Sequence, residues 1–417
     1  MSQRAAVAAA FFLSLAILLA GASVRGTYMG DDAYAYFNDS NSYLNAGERI
    51  IAWLSSGASE DLGGSSRFPF YVIPSVLLSG VHDALGAGAV GVIVLNAVLF
   101  SITVSLAVWF WTTVHGTWDE AWSRRGVFMA MAGGLYIMFG LPDAFLWSYA
   151  ILTDIVFTFW VSVFVVAVAG AIVKGGRFLW IVALIAALTA PFVRPTGFLV
   201  PLLLVYAAAL VWVYRKGTNV KVASLVSIGV ASVLAFVIFP GVVLLAMKKY
   251  WLIKSLAPDP LGDYLGWTVG FFRYGIVVKT RVELLLDSPP SYLEIIRMML
   301  HRLLYYWVPI RLGDRPYSMM HNVVNAVYIV AVLPLFFVGV TRLFQDGRTI
   351  ALAALFLLMV GYAFALMHAM TLVGFDWRYQ VPAMVPFWLF AGCGLYSLLG
   401  RAARSRTPAS LPSHVPR

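Results

Sequence analysis

Residues 152–172 read LTDIVFTFWVSVFVVAVAGAI, a run in which Asp154 is the only charged side chain. A helix rises about 1.5 Å per residue, so ~20 consecutive apolar residues reach across the hydrocarbon core of a bilayer. This run is long enough, and it is not alone. Apolar runs bounded by polar breaks also lie near 5–24, 88–111, 126–141, 178–192, 197–214, 222–247, 321–341, 349–369 and 381–399. The whole chain agrees with the run. Of 417 residues, 61% are hydrophobic and 12% charged, about half the charged fraction of an ordinary soluble domain. That balance excludes a soluble cytosolic enzyme, a disordered chain and a collagen-like polymer. The expected fold is an all-α polytopic membrane protein of about ten transmembrane helices, with extracytoplasmic juxtamembrane helices.

Charge sets the orientation. With the N-terminus inside, the short cytoplasmic pieces carry Arg4, Arg124, Arg125, Lys174, Arg177, Arg215, Lys216, Lys221, Arg342 and Arg348, then Arg401, Arg404, Arg406 and Arg417. Basic residues in short loops stay on the cytoplasmic side. The net charge of +10 therefore reflects topology, and no nucleic-acid partner is expected. Only Asp119, Glu120 and Asp346 of the 19 acidic residues fall inside. The others either populate the long outer loops or line a site there. A single cysteine, Cys393, leaves neither a disulfide framework nor a cysteine metal site. Residues 1–24 have the basic start, apolar core and small-residue LAGAS stretch of a signal peptide, but their length suits a retained first helix. Spans 126–141 and 178–192 are short, which suggests tilted or partly re-entrant segments.

Residues 1–400 read as a single transmembrane domain with two long outer loops, 25–87 and 248–320, and 401–417 as a disordered cytoplasmic tail rich in Arg, Ser and Pro. Within the first loop, Tyr43, Leu44, Ile50, Ile51 and Leu54 recur at helical spacing over Ser40–Leu54. The apolar stretch Phe68–Leu78 is broken by Pro69 and Pro74 and is too short to span. Within the second loop, Leu293, Ile296, Leu300, Leu303, Leu304 and Trp307 form another periodic stripe, interleaved with Arg297, His301 and Arg302. Both stretches are expected to lie as helices on the membrane surface.

Chemistry concentrates in the first outer loop, GDDAYAYFNDSNSYLNAGERI from Gly30. Asp39 stands where an N-cap would, just before the predicted surface helix. A carboxylate facing helix N–H groups stays ionised and can accept a proton as a general base; it can equally serve only as a cap. Asp31 and Asp32 are a second acidic pair, or solvated turn residues after Gly30.

The run Asp39-Ser-Asn-Ser-Tyr43-Leu, followed by Arg67-Phe-Pro69-Phe-Tyr71, resembles the first extracytoplasmic loop of GT-C fold glycosyltransferases. These polytopic enzymes take a sugar from a polyprenyl phosphate carrier; protein mannosyltransferases and lipid A aminoarabinose transferases are among them. The resemblance implies that Asp39 is the catalytic base, with Arg67 on the donor phosphate and Tyr43 and Tyr71 at the substrate. Some branches instead carry a paired Asp-Asp-Ala after the first helix, which Asp31-Asp32-Ala33 resembles, so Asp32 and then Asp31 are the next candidates.

Three later patches match more loosely. Asp154 opens the fourth span where relatives often hold a second acidic residue, though Thr153 and Asp154 also suit a helix start. Arg194-Pro195-Thr196-Gly197 joins the fifth and sixth spans; Pro and Gly explain a sharp reversal but do not require Arg. An arginine there can hold a lipid phosphate bidentately or simply snorkel. Asp376-Trp377-Arg378-Tyr379 precedes the last span, with His368 upstream. Arg378 then binds donor phosphate or pairs with Asp376, while His368 and Asp376 are candidate substrate contacts.

The implied reaction is inverting transfer of a sugar from a polyprenyl-phosphate donor to a hydroxyl of a lipid, polysaccharide or protein acceptor. It takes place at the outer face of a plasma membrane, expected to be a bacterial inner membrane. Arginines neutralising a monophosphate leaving group need no divalent cation, so no metal or other cofactor is expected, although outer-loop carboxylates could bind one. A transporter or lipid flippase is the alternative from another class. Its ionisable residues usually lie at mid-bilayer, whereas here they sit near span ends, and no internal repeat is evident. An O-antigen ligase or polymerase would centre instead on the 248–320 loop.

Overall fold

The computed structural model describes residues 2–29, 40–56, 71–84, 88–115, 124–217, 219–248, 291–307, 316–371 and 380–404. Among them there is no strand. The helices are α1 (Gln3–Met29), α2 (Ser40–Ser56), α3 (Val72–Ala84), α4 (Gly88–His115), α5 (Arg124–Phe139), α6 (Pro142–Trp147), α7 (Asp154–Lys174), α8 (Arg177–Val193) and α9 (Leu199–Arg215). Then come α10 (Val220–Val233), α11 (Phe239–Lys248), α12 (Tyr292–Trp307), α13 (Pro316–Gln345), α14 (Arg348–Thr371) and α15 (Val381–Arg404). Eight of these segments are long and apolar enough to cross a membrane: 3–26, 88–115, 154–174, 195–215, 225–242, 319–345, 348–370 and 381–400. The chain is an all-α polytopic membrane protein. Three further apolar helices, 72–83, 126–139 and 177–193, are shorter.

Hydrocarbon cannot hydrogen-bond a free N–H or hydroxyl, so a spanning helix must satisfy its polar groups internally. The small polar residues inside these apolar helices do so. Thr158 donates to the carbonyl of Asp154 and Ser162 to that of Thr158, each at 2.7 Å; Ser101 and Thr112 bond back one turn in the same way. Glycine ends two spans cleanly. Gly175 closes α7 at φ 76° and Gly347 separates α13 from α14 at φ 119°, angles that other residues adopt only with strain.

The bundle is layered. Helix α7 is innermost, with 83% of its apolar window buried, whereas the window on α10–α11 is 11% buried and faces outward. Helices α4, α8, α14 and α15 surround α7. Buried polar links tie helices together: Trp111 Nε1 of α4 donates to the Leu389 carbonyl of α15 at 3.0 Å, and the Tyr328 hydroxyl of α13 to the Ile137 carbonyl of α5 at 2.7 Å. At one end Gln3 ties α1 to Trp109, Thr112 and Thr113 of α4. At the other, Arg25 of α1 lies 5.9 Å over the Tyr149 ring.

Both stretches predicted as surface helices are helical; α2 largely buries its predicted stripe, whereas α12 does not. In α2, Tyr43, Leu44 and Ile50 are buried, but Leu54 is exposed. Gly47 brings α2 against α3, because a Cβ there would run into the Ser75 carbonyl. In α12, Leu293, Leu300 and Leu304 are exposed, while Ile295, Met299, Arg302 and Tyr306 are buried. Water-driven amphipathicity would turn the leucine stripe inward. In a lipid setting the apolar stripe can face the membrane, freeing the polar face for the protein interior.

The most extensive helix pair, α13 with α15, depends on two glycines. A Cβ on Gly339 would collide with the Phe390 carbonyl, and one on Gly394 with the Leu335 carbonyl. Backbone cannot step aside as a side chain can. Gly339→Val or Gly394→Val is therefore expected to destabilise the folded bundle by at least the ~1–3 kcal/mol of ordinary overpacking; a lowered melting temperature in detergent checks this. Gly229→Ala, where the added Cβ meets open space, is the control and should leave it unchanged.

Candidate functional site

The chain between α8 and α9 cannot continue as helix, because proline disfavours helical backbone in the residue before it. Arg194, which precedes Pro195, is accordingly extended at φ −158°, ψ 148°. A 3-10 turn, Pro195–Phe198, then reverses the chain, closed by the Gly197 N–H donating to the Arg194 carbonyl at 2.8 Å. Gly197 is required there, since a Cβ would meet the Ala190 carbonyl. The turn sends the Arg194 side chain into the bundle, where its Nη1 donates to Oδ1 of Asp154. Both are buried, Arg194 at 5% and Asp154 at 1% exposure. Arg194 therefore does not snorkel.

Asp154 is the first residue of α7, where the positive end of the helix favours a carboxylate. Thr153 occupies the N-cap but makes no side-chain cap bond, and its buried hydroxyl has no hydrogen-bond partner among the described residues. Just upstream, the Ser40 hydroxyl donates to the Ile151 carbonyl at 2.9 Å, and Asn96 Nδ2 to that of Ala150 at 2.8 Å. The start of α2 is thus held three residues from Asp154.

Helix α12 adds a second wall. The Tyr306 ring lies 4.7 Å from that of His368, near the end of α14. Tyr306, His368, Arg194, Thr196, Phe157 and Pro382 help enclose a cavity of about 20 Å³, room for about one water. Burial pushes the Tyr306 phenol up, against the opposing pull of the positive Arg194. One turn earlier, Arg302 Nη1 donates to the Ala369 carbonyl at 3.4 Å. Burial lowers its guanidinium to about 10, so it remains a cation at neutral pH. Gln380, just before α15, donates its amide to the Tyr306 carbonyl.

Of the residues singled out by sequence, Asp154, Arg194 and His368 come together here. Tyr43 and Tyr71 meet each other, ring centroids 5.4 Å apart, where α2 packs on α3. Asp31, Asp32, Asp39, Arg67, Asp376 and Arg378 lie outside the described residues. Sequence reasoning missed Tyr306 and Gln380 and left Arg302 as an interleaved charge. The available signal was its polar face opposite a leucine stripe in a chain already recognised as membrane-bound. No group of three His, Cys, Asp or Glu among the described residues is placed to hold a metal ion.

Comparison with protein-family models, with curated proteins and with solved structures finds no match. The chemistry of the cluster must therefore speak for itself. It joins two guanidinium groups, a carboxylate, an imidazole and a phenol at one end of an apolar bundle, with Arg194 and Asp154 already paired.

The Asp154–Arg194 pair is expected to behave as a unit. Breaking a buried pair leaves a charge without compensation and costs ~3–5 kcal/mol, whereas removing both charges is far milder. Asp154→Asn and Arg194→Gln should each lower the melting temperature of the detergent-solubilised protein strongly, and the double variant should recover most of the loss. Additive losses in the double variant would show that the two side chains act separately.

Proposed function

We propose that this chain is an inverting glycosyltransferase of about ten membrane crossings, moving a sugar from a polyprenyl-phosphate donor to an acceptor hydroxyl at the outer face of a bacterial inner membrane. The observation that carries the proposal is the buried cluster of Arg194, Asp154, Tyr306, His368 and Arg302 at one end of an otherwise apolar bundle. Fixed arginines beside apolar helices match the chemistry of an anionic head on a greasy chain. The run Asp39–Tyr43 and the Arg194-Pro-Thr-Gly turn, which resemble the GT-C pattern, supply the reaction type.

In this reading the acceptor hydroxyl gives its proton to the Asp39 carboxylate as its oxygen attacks the anomeric carbon. The bond from that carbon to the phosphate oxygen breaks on the opposite face, and polyprenyl phosphate departs with the electron pair. Charge grows on the phosphate as the bond breaks. Fixed cations in a water-poor site stabilise that change more than the ground state. Arg194 is the residue best placed for it, with Asp154 holding its guanidinium in one orientation. The neutralising charge comes from arginine, and metal independence is part of the proposal.

The test is transfer by the purified protein from a panel of radiolabelled polyprenyl-phosphate sugars to lipid, polysaccharide and protein fractions. Wild type should transfer, and Asp39→Asn should reduce the rate by about 10²–10⁴-fold, the scale of a lost general base, while still inserting in the membrane. Retained activity in that variant would move the base to Asp32; an inactive wild type across the panel would overturn the proposal. Reporter fusions should place 215–221 and 342–348 in the cytoplasm and α2 outside.

A further inference from the structure

Helix α12 runs for 16 residues, about 24 Å at 1.5 Å per residue, too short to cross the ~30 Å hydrocarbon core of a bilayer. Its contacts fix its depth instead. The Tyr292 hydroxyl donates to the Val237 carbonyl, Arg302 to that of Ala369, and Gln380 to that of Tyr306. Ile295 and Met299 pack with Ala235, Leu366 and Ala369. Val237, Ala369 and Gln380 each lie within five residues of an end of the spanning segments 225–242, 348–370 and 381–400, about 8 Å or less along a helix. Helix α12 therefore lies at the boundary between hydrocarbon and lipid head groups.

Two stripes run along it. Ile295, Met299, Arg302 and Tyr306 follow one another by steps of four, three and four residues and are buried. Leu293, Arg297, Leu300 and Leu304 follow the same steps on the opposite side and are exposed; such steps keep to one helix face. The outward stripe continues a lipid-facing surface. Helix α11 packs on α12, and its Val242 and Leu245 are exposed as well, at the end of a spanning window only 11% buried. Arg297 thus stands among leucines. Glu294, one turn earlier, has its carboxylate engaged at the helix start: it accepts from the Ser291 N–H at 2.6 Å, while the Ser291 hydroxyl accepts from the Glu294 N–H at 3.3 Å, a reciprocal cap.

We propose that this stripe binds a bilayer phospholipid of net negative charge, its acyl chains along Leu293, Leu300 and Leu304 and its phosphodiester held by the Arg297 guanidinium. Arginine stays charged and offers forked N–H donors to two phosphate oxygens. Its apolar stem lies on the leucines while its head reaches the head-group layer. Other occupants fit less well. Water would leave three leucines unburied, and a free phosphate ion would satisfy the arginine alone. A second copy docked symmetrically on the same stripe would set one Arg297 against the other. The site lies on the far side of α12 from Arg302 and Tyr306, apart from the Arg194 cluster and independent of any transfer reaction. The lipid holds from outside the helix whose inner face closes the polar pocket.

The experiment uses the full chain in phosphatidylcholine nanodiscs doped with phosphatidylglycerol that carries a head-group diazirine. Irradiation should label the peptide 291–307. Unlabelled phosphatidylglycerol should compete about fivefold better than phosphatidylcholine, the worth of one basic side chain at an anionic surface. Arg297→Gln should abolish that preference without lowering the melting temperature, and Arg297→Lys, which keeps the charge, should retain it. A nitroxide on Leu300→Cys, the native Cys393 being buried, should be reached by oxygen and shielded from a water-soluble nickel chelate. Equal competition by the two lipids, or a preference that survives Arg297→Gln, overturns the proposal. So does nickel access, which would place the stripe in water. Shielding from both reagents would mean that protein covers it: a second copy if the labels broaden one another, the segment 249–290 of the same chain if they do not. Stronger competition by decyl phosphate than by phosphatidylglycerol would assign the arginine to a single-chain phosphate instead.

Discussion

A carboxylate and a guanidinium taken out of water need each other. Either one alone in a low-dielectric interior costs many kcal/mol, and a pair is tolerable only with good geometry. Asp154 opens α7, and Arg194 sits in the turn between α8 and α9, so their contact sets the heights of three helices at once. Pro195 keeps Arg194 out of the helix and Gly197 lets the chain fold back beneath it. The remainder of the polar cluster assembles around this pair: Tyr306 arrives on α12, His368 on α14, and Gln380 ties the start of α15 to α12 by donating to the Tyr306 carbonyl.

That last bond illustrates how a membrane bundle uses its helix ends. The final carbonyls of any helix lack intrahelical donors, and inside a bilayer they cannot turn to water. Gln380 supplies a donor to α12 and in doing so ties down the Tyr306 backbone, whose ring packs on His368. Tyr292 does the same service elsewhere. Its hydroxyl donates to the Val237 carbonyl at 2.6 Å, within the π-helical turn Leu234–Ile238 that links α10 to α11. Such turns shift the backbone bonding from i→i+4 to i→i+5, and α12 meets one of its carbonyls directly.

Much of the fold was legible in the sequence because hydrocarbon is an exacting solvent. Apolar runs of bilayer length between charged breaks locate helices from composition alone, and runs such as 152–172 and 381–399 reappear as α7 and α15 with little change at their ends. Three members of the buried polar cluster, Asp154, Arg194 and His368, were also visible, since an ionisable group at the edge of an apolar run needs a reason to be there. Pairing was not visible. Asp154 and Arg194 are forty residues apart, and nothing local says that one turn will aim its arginine at one helix start. The facing of α12 was hidden for a different reason: periodicity gives a helix its stripe but not its solvent, and with lipid outside, the leucines can turn outward while Arg302 and Tyr306 turn in. Spacing along the chain therefore determined the helices, and only their packing in three dimensions decided which charges meet and which face looks inward.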